Sequence, residues 1–457
     1  MTTMTNATTT TGSDGAISPE MIQSYRASFS SAPSARIAQN AVTKTDINDV
    51  ALNREIVTST DFTFSTLLDE WEVTNQKRSG RCWLFAALNL FRVGAMKKMN
   101  LKDFEFSQNY MFFWDKFERA NYFLEQIIDT TDRDVDDRTV AFLLDYPIDD
   151  GGQWNMFVNL VRRHGVVPKA VMPETNSSSN SARMNSHLKF KLREGARTLR
   201  SLATKGCGSD EIQAAKQVIL ESIWRMLCVH LGTPPSSFDW QWNDKDREFH
   251  RDGELTPQAF AEKYIDLPLE EYACLVHDPR ESSPYGRTFT VDRLGNVVGG
   301  KRVIYLNIEI DLMKSITRSV LESGEPVWFG CDVGPSMQRE LGLWDSELFR
   351  YEDLYGTSFD LEKAERLEYH QSLMTHAMLF TGVDVVDGTT RRWRVENSWG
   401  GKDSGRKGFY TMNDSWFDEY MFEIAARKSM LPAELQAAFD EDPIVLPPWD
   451  PMGSLAG

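Results

Sequence analysis

Apolar residues in the first part of the chain recur with helical spacing. They continue from Leu84 to Met96 on nearly every face of one helix, which predicts a central and buried element. Ser107 can cap a second, amphipathic helix whose apolar side is rich in aromatic residues. These two helices are predicted to belong to one helical lobe.

From Tyr272 onward the pattern changes to short apolar runs that are typical of β-strands. The predicted strands are Tyr272–Val276, Val303–Ile308, Val327–Cys331, Leu373–Val386, Arg391–Glu396, Gly408–Met412 and Met421–Ala426. One helix interrupts them, capped by Asp311 and ending near Gly324. The chain is therefore predicted to be α+β, with a helical lobe followed by an antiparallel, β-rich lobe.

A further helical stretch separates the two predicted lobes. Residues 188–231 are mostly helical, with Asp210 as a start and Gly232 as a stop, and Thr256-Pro257 begins another helix. We expect this insertion, residues 181–267, to serve assembly or access and not the chemistry itself.

Composition narrows the class of protein. The 457 residues are 41% hydrophobic and 26% charged, as in a soluble globular protein. No apolar run approaches the ~20 residues of a membrane helix. The net charge of -17 makes a nucleic-acid-binding face unfavourable, because phosphate binding needs clustered Lys and Arg. Five scattered cysteines and the lack of a signal sequence predict a reducing, cytoplasmic location.

One cysteine lies where a nucleophile is expected. Cys82 follows a polar, glycine-containing turn and begins the buried helix, and a helix N-terminus favours thiolate over thiol. Gln76 can place its amide beside the sulfur, where it and the backbone N–H of Cys82 would hold a tetrahedral oxyanion. A small buried core residue is the alternative reading of Cys82. The cysteines that lack this context are Cys207, Cys228, Cys274 and Cys331.

A histidine and an asparagine far downstream can complete such a site. His376 lies in one apolar strand and Asn397 ends another, at a spacing that allows a hairpin pair. An imidazole that takes a proton from sulfur needs its far nitrogen held, and an asparagine carbonyl does this without adding charge. Trp399 would shield that hydrogen bond from water. Alone, His376 is equally well explained as a hydrogen-bonded core residue.

Other motifs are weaker. Gly151-Gly152 would let a backbone approach closely, although on spacing alone an ordinary tight turn is the better explanation. Cys274 and His277 have a Cys-x-x-His spacing, but no second pair completes a four-ligand zinc site, so no metal is expected. The sequence contains neither a Gly-x-Ser-x-Gly elbow nor a P-loop.

Together these motifs resemble the papain-type cysteine peptidases. Gln76 and Cys82-Trp83 match the pattern around the nucleophile, His376-Ala377 matches the base, and Asn397-Ser398-Trp399-Gly400 matches the orienting asparagine and the tryptophan that covers it. Arg81 stands where secreted members have a small residue, and its charge either favours the thiolate or contacts substrate.

More closely, the chain resembles the bleomycin hydrolase and aminopeptidase C branch. The resemblance rests on the chain length, the segment Asp150–Trp154 and the C-terminal sequence from Leu446 to Gly457. It implies a papain-like, two-lobed cysteine peptidase with a helical lobe, a β-barrel-like lobe, a helical insertion and a C-terminal arm. Composition, pattern and resemblance together predict a disordered leader (1–18), an N-terminal arm (19–70), the helical lobe (71–180), the insertion (181–267), the β-rich lobe (268–440) and the C-terminal arm (441–457).

The resemblance also implies roles for the site residues. Cys82 would attack the carbonyl, His376 would move the proton, Asn397 would orient His376, and Gln76 would stabilise the oxyanion, with no metal or organic cofactor. The C-terminal arm would lie in the cleft with its carboxylate near the free amine of the substrate, which makes the enzyme an aminopeptidase. The substrate-binding residues are then Gly151, Gly152, Trp399, Ala456 and Gly457.

The implied substrates are peptides and small amides, including bleomycin-like amides, together with homocysteine thiolactone. The resemblance further implies a homohexamer, with no membrane partner. Two alternatives stay open: a broad cysteine endopeptidase with a mobile tail, and a non-catalytic hexameric protein that binds nucleic acid. The acidic balance of the chain counts against the second.

Overall fold

The computed structural model describes residues 15–68, 71–402 and 404–456. They form two compact units, one of the described residues up to Ser59 with Glu347–Asp360 and one of the described residues of Thr60–Ser346 with those from Leu361 onward. The segment 347–360 thus groups with the N-terminal residues, whereas the sequence placed it in the β-rich lobe. Of the predicted leader, residues 1–14 lie outside the described residues, as does Gly457.

The first unit is helical. Its helices are Pro19–Ser31, Pro33–Val42, Ile47–Ala51, Arg54–Ser59 and Tyr351–Tyr355. Ser18 caps the first helix by accepting a hydrogen bond from the Met21 N–H at 3.2 Å. Within this unit the Asn53 N–H donates to the Leu348 carbonyl at 2.8 Å, which joins the two chain segments.

The second unit holds the remaining helices and all the described strands. Its α-helices are Cys82–Met99, Gln108–Asp129, Arg138–Asp145, Trp154–His164, Asn176–Ser179, Ala182–Thr204, Ser209–Leu231, Pro257–Tyr264, Ile310–Glu322, Lys363–Glu368, Asp414–Tyr420 and Ala433–Ala437. Its 3-10 helices are Leu269–Glu271, Lys428–Met430, Ala438–Asp440 and Pro451–Gly453. No helix in the described part of the chain is both long and apolar enough to cross a bilayer.

Twelve strands form one mixed sheet in this unit. From one edge to the other they are Ile444–Leu446, Thr288–Val291, Tyr305–Asn307, Tyr272–Val276, Met421–Arg427, Val327–Cys331, His376–Val386, Thr389–Glu396, Phe409–Asn413, Leu343–Trp344 and Met337–Gln338, and Thr66–Leu67 pairs with His376–Val386. Most neighbours are antiparallel, as predicted. Three pairs are parallel, including the one that Ile444–Leu446 forms with Thr288–Val291.

Two apolar cores stabilise this unit. One surrounds the helix Cys82–Met99, which is buried on nearly every face because apolar residues occur on nearly every side of it. The other lies between the sheet and the helix Ile310–Glu322. Buried aromatic side chains contribute much of both cores, and Trp83, Trp328 and Trp393 are fully covered.

Two local predictions need correction. The helix expected to be capped by Asp311 begins at Ile310, with Glu309 at the cap position. The helical stretch 188–231 contains two helices, and the second begins at Ser209 and ends before Gly232, as the predicted start at Asp210 and stop at Gly232 indicated. The predicted helical insertion also contains a hairpin, Phe238–Asn243 with Phe249–Leu255, whose residues alternate between more and less exposed positions.

Candidate active site

The start of a helix and the start of a strand meet at Cys82. Cys82 is the first residue of the helix Cys82–Met99 and is fully buried. Its Sγ accepts a hydrogen bond from the Ala377 N–H at 3.3 Å. Ala377 directly follows His376 at the beginning of the strand His376–Val386. The predicted nucleophile and the predicted base are therefore brought to the same place by this contact.

His376 is held by the two polar residues expected around it. Its Nε2 lies 2.9 Å from the Asn397 Oδ1, which also accepts the Ser398 N–H at 2.7 Å. The Trp399 ring packs against the imidazole, with centroids 5.0 Å apart. The antiparallel strands His376–Val386 and Thr389–Glu396 create this arrangement. Because Nε2 is engaged, Nδ1 is the ring nitrogen left to exchange a proton with sulfur.

Burial dominates the electrostatics of this pair. It raises the pKa of the Cys82 thiol to about 12, against the opposing effect of hydrogen bonds from the N–H groups of Ala377, Trp83 and Cys82. It lowers the pKa of His376 to about 4, although the bond to Asn397 acts in the opposite direction. The expected preference for thiolate at the helix start is thus outweighed, and each group taken alone is neutral at pH 7.

The amide of Gln76 is fixed at both ends. Its Nε2 donates to the Ser79 carbonyl at 2.6 Å, and its Oε1 accepts from the Ser398 Oγ at 2.5 Å. The Gln76 N–H also donates to the Ser398 carbonyl at 2.8 Å. These contacts tie the loop before the nucleophile to the loop after Asn397. The second hydrogen on Nε2 is not used by them.

Gly151 and Gly152 allow a close approach of two backbones. The Gly152 N–H donates to the Ala456 carbonyl at 3.0 Å, and Ala456 is fully buried. A Cβ on Gly151 would lie 2.7 Å from the Ala456 carbonyl oxygen, and one on Gly152 would lie 2.5 Å from the Trp83 ring. Both positions therefore require glycine in this packing. The predicted site residue Gly457 is outside the described residues.

The C-terminal arm is held along its length. Its strand Ile444–Leu446 pairs with Thr288–Val291, and the Ser454 Oγ donates to the Met374 carbonyl at 2.7 Å. A cavity of about 900 Å³ adjoins the arm and is lined by Gly151 and most residues from Pro448 to Leu455. Trp449 lies under the Arg138 guanidinium, 3.7 Å from ring centroid to Cζ.

A buried ion cluster, absent from the sequence predictions, clamps this arm. Arg280 bonds Asp278 through Nε and Nη2, the latter at 2.7 Å, and bonds Asp450 through Nη2 at 2.9 Å and Nη1 at 3.2 Å. The Asp450 Oδ1 also accepts the Met452 N–H at 2.9 Å and so caps the turn Pro451–Gly453. The two carboxylates raise the pKa of Arg280 despite burial, so its positive charge is secure.

Arg81 is a structural anchor. Its side chain is fully buried and pairs with Glu174 through two hydrogen bonds of 2.9 and 2.7 Å, and its Nε donates to the Ser79 Oγ at 2.8 Å. The guanidinium lies 5.1 Å from the ring centres of both Phe85 and Phe112. The prediction left substrate contact open, and this burial excludes it.

A second buried group joins the nucleophile helix to the asparagine strand. The carboxylate of Glu396, just before Asn397, accepts from the Trp71 Nε1 at 2.7 Å and the Asn89 Nδ2 at 2.9 Å. The Arg92 Nη2 lies 3.4 Å from the Glu396 Oε1 and completes the group. Asn89 and Arg92 lie on the helix that Cys82 begins. Sequence patterns carried no signal for this group, because its members are far apart along the chain.

Potential metal ligands in the described residues occur together once. Asp244, Glu248 and His250 bring ligand atoms within 4.8 Å of one another in the hairpin turn. Asp244 already accepts the Glu248 N–H at 2.9 Å, as expected in such a turn. Cys274 and His277, the weak motif of the sequence, instead contact Asn155 and the Ile308 carbonyl.

Comparison with known proteins defines the class. The Peptidase C1-like family pattern matches residues 16–453, and the chain belongs to this family. An aminopeptidase C from Lactobacillus delbrueckii subsp. lactis is 43% identical, with 96% of this chain and 98% of that protein covered. Human bleomycin hydrolase is 42% identical, with 97% of this chain and 100% of that protein covered.

A solved structure shares the fold over nearly the whole length. The crystal structure of PepW from Lactobacillus rhamnosis HN001 superposes with a TM-score of 0.95 at 47% identity. The match covers 97% of this chain and 100% of that one. The predicted papain-like, α+β cysteine peptidase fold is confirmed by the family and by this likeness.

Proposed function

We propose that this chain is a cysteine aminopeptidase, which removes N-terminal residues from peptides. The observation that carries the proposal is the hydrogen bond from the Gly152 N–H to Ala456, next to the Cys82 helix. It means that the end of the chain's own arm occupies an extended, substrate-like position. The names of the relatives, aminopeptidase C and bleomycin hydrolase, support the same activity.

The first half of the reaction forms an acyl-enzyme. A proton passes from the Cys82 Sγ to the His376 Nδ1, and thiolate and imidazolium form together because burial disfavours either charge alone. The thiolate attacks the carbonyl carbon, a C–S bond forms, and the π electrons move to oxygen. The Cys82 backbone N–H and the Gln76 amide stabilise that oxyanion. The C–N bond then breaks as His376 protonates the leaving amine.

The second half releases the amino acid. Neutral His376 takes a proton from water, and the resulting hydroxide attacks the thioester carbon. A second oxyanion forms in the same place and collapses, which breaks the C–S bond, and the proton that His376 took from water returns to the Cys82 sulfur. Asn397 holds the imidazole orientation throughout, through the 2.9 Å contact to Nε2, and Trp399 shields that contact.

The arm limits the length of substrate that can bind on the amino side of the scissile bond. Gly151 and Gly152 bind arm backbone where a longer peptide would otherwise extend. A substrate with a free α-amine fits beside the end of the arm, whereas a blocked amine needs the space that the arm occupies. Single residues are therefore released from the N-terminus, and internal bonds are protected.

Further properties belong to the same proposal. Its substrates include small amides of the bleomycin type and homocysteine thiolactone, both of which offer an activated or unhindered acyl group beside a free amine. We propose a cytoplasmic homohexamer that needs no metal or organic cofactor. Light scattering on the purified protein tests the assembly, and a mass of about six protomers is the expected result.

The test compares leucine amide with N-acetyl-leucine amide, using the Cys82→Ala chain as the blank. We expect kcat/KM to be about 100-fold or more higher for the free amine, equivalent to about 3 kcal/mol. Equal rates on both substrates would instead indicate an endopeptidase. No rate above the blank on either substrate would indicate a binding protein.

A further inference from the structure

A second cavity lies beside the base and away from the arm. It has a volume of about 650 Å³, and its lining includes Asn75, Trp399 and Arg339. Asn75 precedes Gln76 and forms an isolated bridge with Trp399, the residue that packs on His376. This cavity shares no lining residue with the cavity along the arm. The volume is within the ~300–1,000 Å³ range that is typical of ligand sites.

Chemistry determines which part of a substrate reaches this cavity. The leaving amine must face His376, because His376 protonates it. Trp399 packs on His376 and also lines the cavity, so the cavity begins next to the base. The acyl part lies on the other side, against Gly152 and the arm. The residues that follow the scissile bond are thus directed to this second cavity.

The lining of the cavity is cationic. Lys77, Arg78 and Arg339 all contribute to it, and its described lining includes no Asp or Glu. The Arg339 guanidinium lies 5.0 Å from the centre of the Trp399 ring, a distance typical of cation–π contact. A concentration of positive charge here contrasts with the net charge of -17 of the chain.

The loop that presents two of these cations is preorganised. Lys77 has a φ of 57°, in the left-handed region, and its N–H donates to the Asn75 Oδ1 at 2.9 Å. The Arg78 N–H donates to the Ser179 carbonyl at 3.0 Å, and the Ser181 N–H donates to the Arg78 carbonyl. Backbone strain of this kind is retained where the surroundings hold it in place. Both side chains are exposed and available to a ligand.

We propose that this cavity binds a carboxylate on the first or second residue after the scissile bond, so that short and acidic peptides are preferred. The inference rests on the proposed aminopeptidase activity and adds its leaving-group specificity. The carboxylate comes either from the C-terminus of a di- or tripeptide or from an Asp or Glu side chain. Either source places an anion near Lys77 and Arg78, and Arg339 adds a bidentate partner.

Paired substrates separate the two sources of carboxylate. Leu-Gly against Leu-Gly-amide tests the α-carboxylate, and Leu-Glu-amide against Leu-Gln-amide tests the side chain. We expect kcat/KM to be about tenfold higher for the charged member of at least one pair at low salt. The preference should shrink as salt is added, because exposed charges are screened.

The variant Lys77→Gln/Arg78→Gln tests the site, and Lys102→Gln, an exposed lysine elsewhere, is the matched control. The double variant should reduce the charge preference to about twofold or less, whereas the control should keep it. The leaving group of leucine amide is ammonia, which carries no carboxylate. The kcat/KM for leucine amide should therefore be the same in all of these chains. This readout also confirms that the variants are folded and active.

The outcomes distinguish this inference from the proposal on which it rests. Normal leucine amide hydrolysis without a charge preference in either pair would overturn the inference and leave the aminopeptidase proposal standing. A preference that survives in the double variant would also overturn it. Absence of Cys82-dependent hydrolysis of every substrate would overturn both.

Discussion

The ion cluster of Asp278, Arg280 and Asp450, here called the clamp, holds the C-terminal arm and allows a quantitative prediction. Asp450→Ala removes the arm's carboxylate from Arg280 but leaves Arg280 paired with Asp278, so no buried cation is left without a partner. The side chains of Arg280 and Asp450 are only 8% and 9% exposed, so their bonds are little screened by solvent. The substitution therefore loosens the arm without leaving an uncompensated charge in the fold.

The expected magnitude follows from the bonds that are lost. Arg280 contributes two hydrogen bonds to Asp450, and Asp450 caps the Met452 N–H. A hydrogen bond to a charged group contributes about 1.5–3 kcal/mol, and overlapping bonds are not additive. We therefore expect the free energy that holds the arm in place to fall by about 3 kcal/mol. The released population then rises about 100-fold. Asp450→Asn keeps the cap and a neutral bond, and its effect should be intermediate.

The assay is kcat/KM for N-acetyl-leucine amide relative to leucine amide. A blocked substrate needs the released arm, so this ratio should rise by up to about 100-fold in Asp450→Ala, while leucine amide itself changes little. Asp442→Ala removes an exposed carboxylate of the same arm and should leave the ratio unchanged. A folded Asp450→Ala chain with the wild-type ratio would refute the clamp.

Three further predictions follow from the site geometry. Gly152→Ala should lower kcat/KM for leucine amide about tenfold or more, because its Cβ would lie 2.5 Å from the indole ring beneath it. Burial lowers the pKa of His376 to about 4, so the unfolded chain binds a proton there at pH values where the folded chain does not. Stability should then fall by about 2 kcal/mol as the pH drops from about 6.5 to 4.5, and urea titrations should show a correspondingly smaller fall in His376→Gln. Glu396→Gln should lower the free energy of unfolding by about 3–5 kcal/mol in the same urea titrations, because the buried charge of Arg92 loses the carboxylate that balances it. Adding Arg92→Met should recover part of that loss.

Local sequence patterns were sufficient to predict an element wherever the residues of one short segment determine its structure. The strands Tyr272–Val276 and Val327–Cys331 have the predicted bounds, and Ser107 caps its helix as expected, by accepting the Tyr110 N–H at 3.0 Å. The mainly apolar helix that begins at Cys82 is buried as its composition indicated. In each case propensity and burial favour the same structure, so context does not need to decide.

The sequence did not predict contacts between residues that lie far apart along the chain. It also did not decide between neighbouring residues of similar character at a helix start. Arg280 and Asp450 are 170 positions apart, and no local pattern marks either as one end of a pair. Glu309 and Asp311 both suit a helix start, and the backbone selects Glu309 as the cap. Arg81 is similar, because a charge beside a nucleophile suggests chemistry until Glu174 is found to neutralise it.

We propose that the chain's own arm turns a cysteine peptidase site into an aminopeptidase. The most direct test measures leucine amide and N-acetyl-leucine amide on the full chain and on a chain ending at Pro451, with Cys82→Ala as the blank. We expect the full chain to cleave only the free amine and the shortened chain to cleave the blocked substrate as well. A shortened chain that stays active and still rejects the blocked substrate would contradict it.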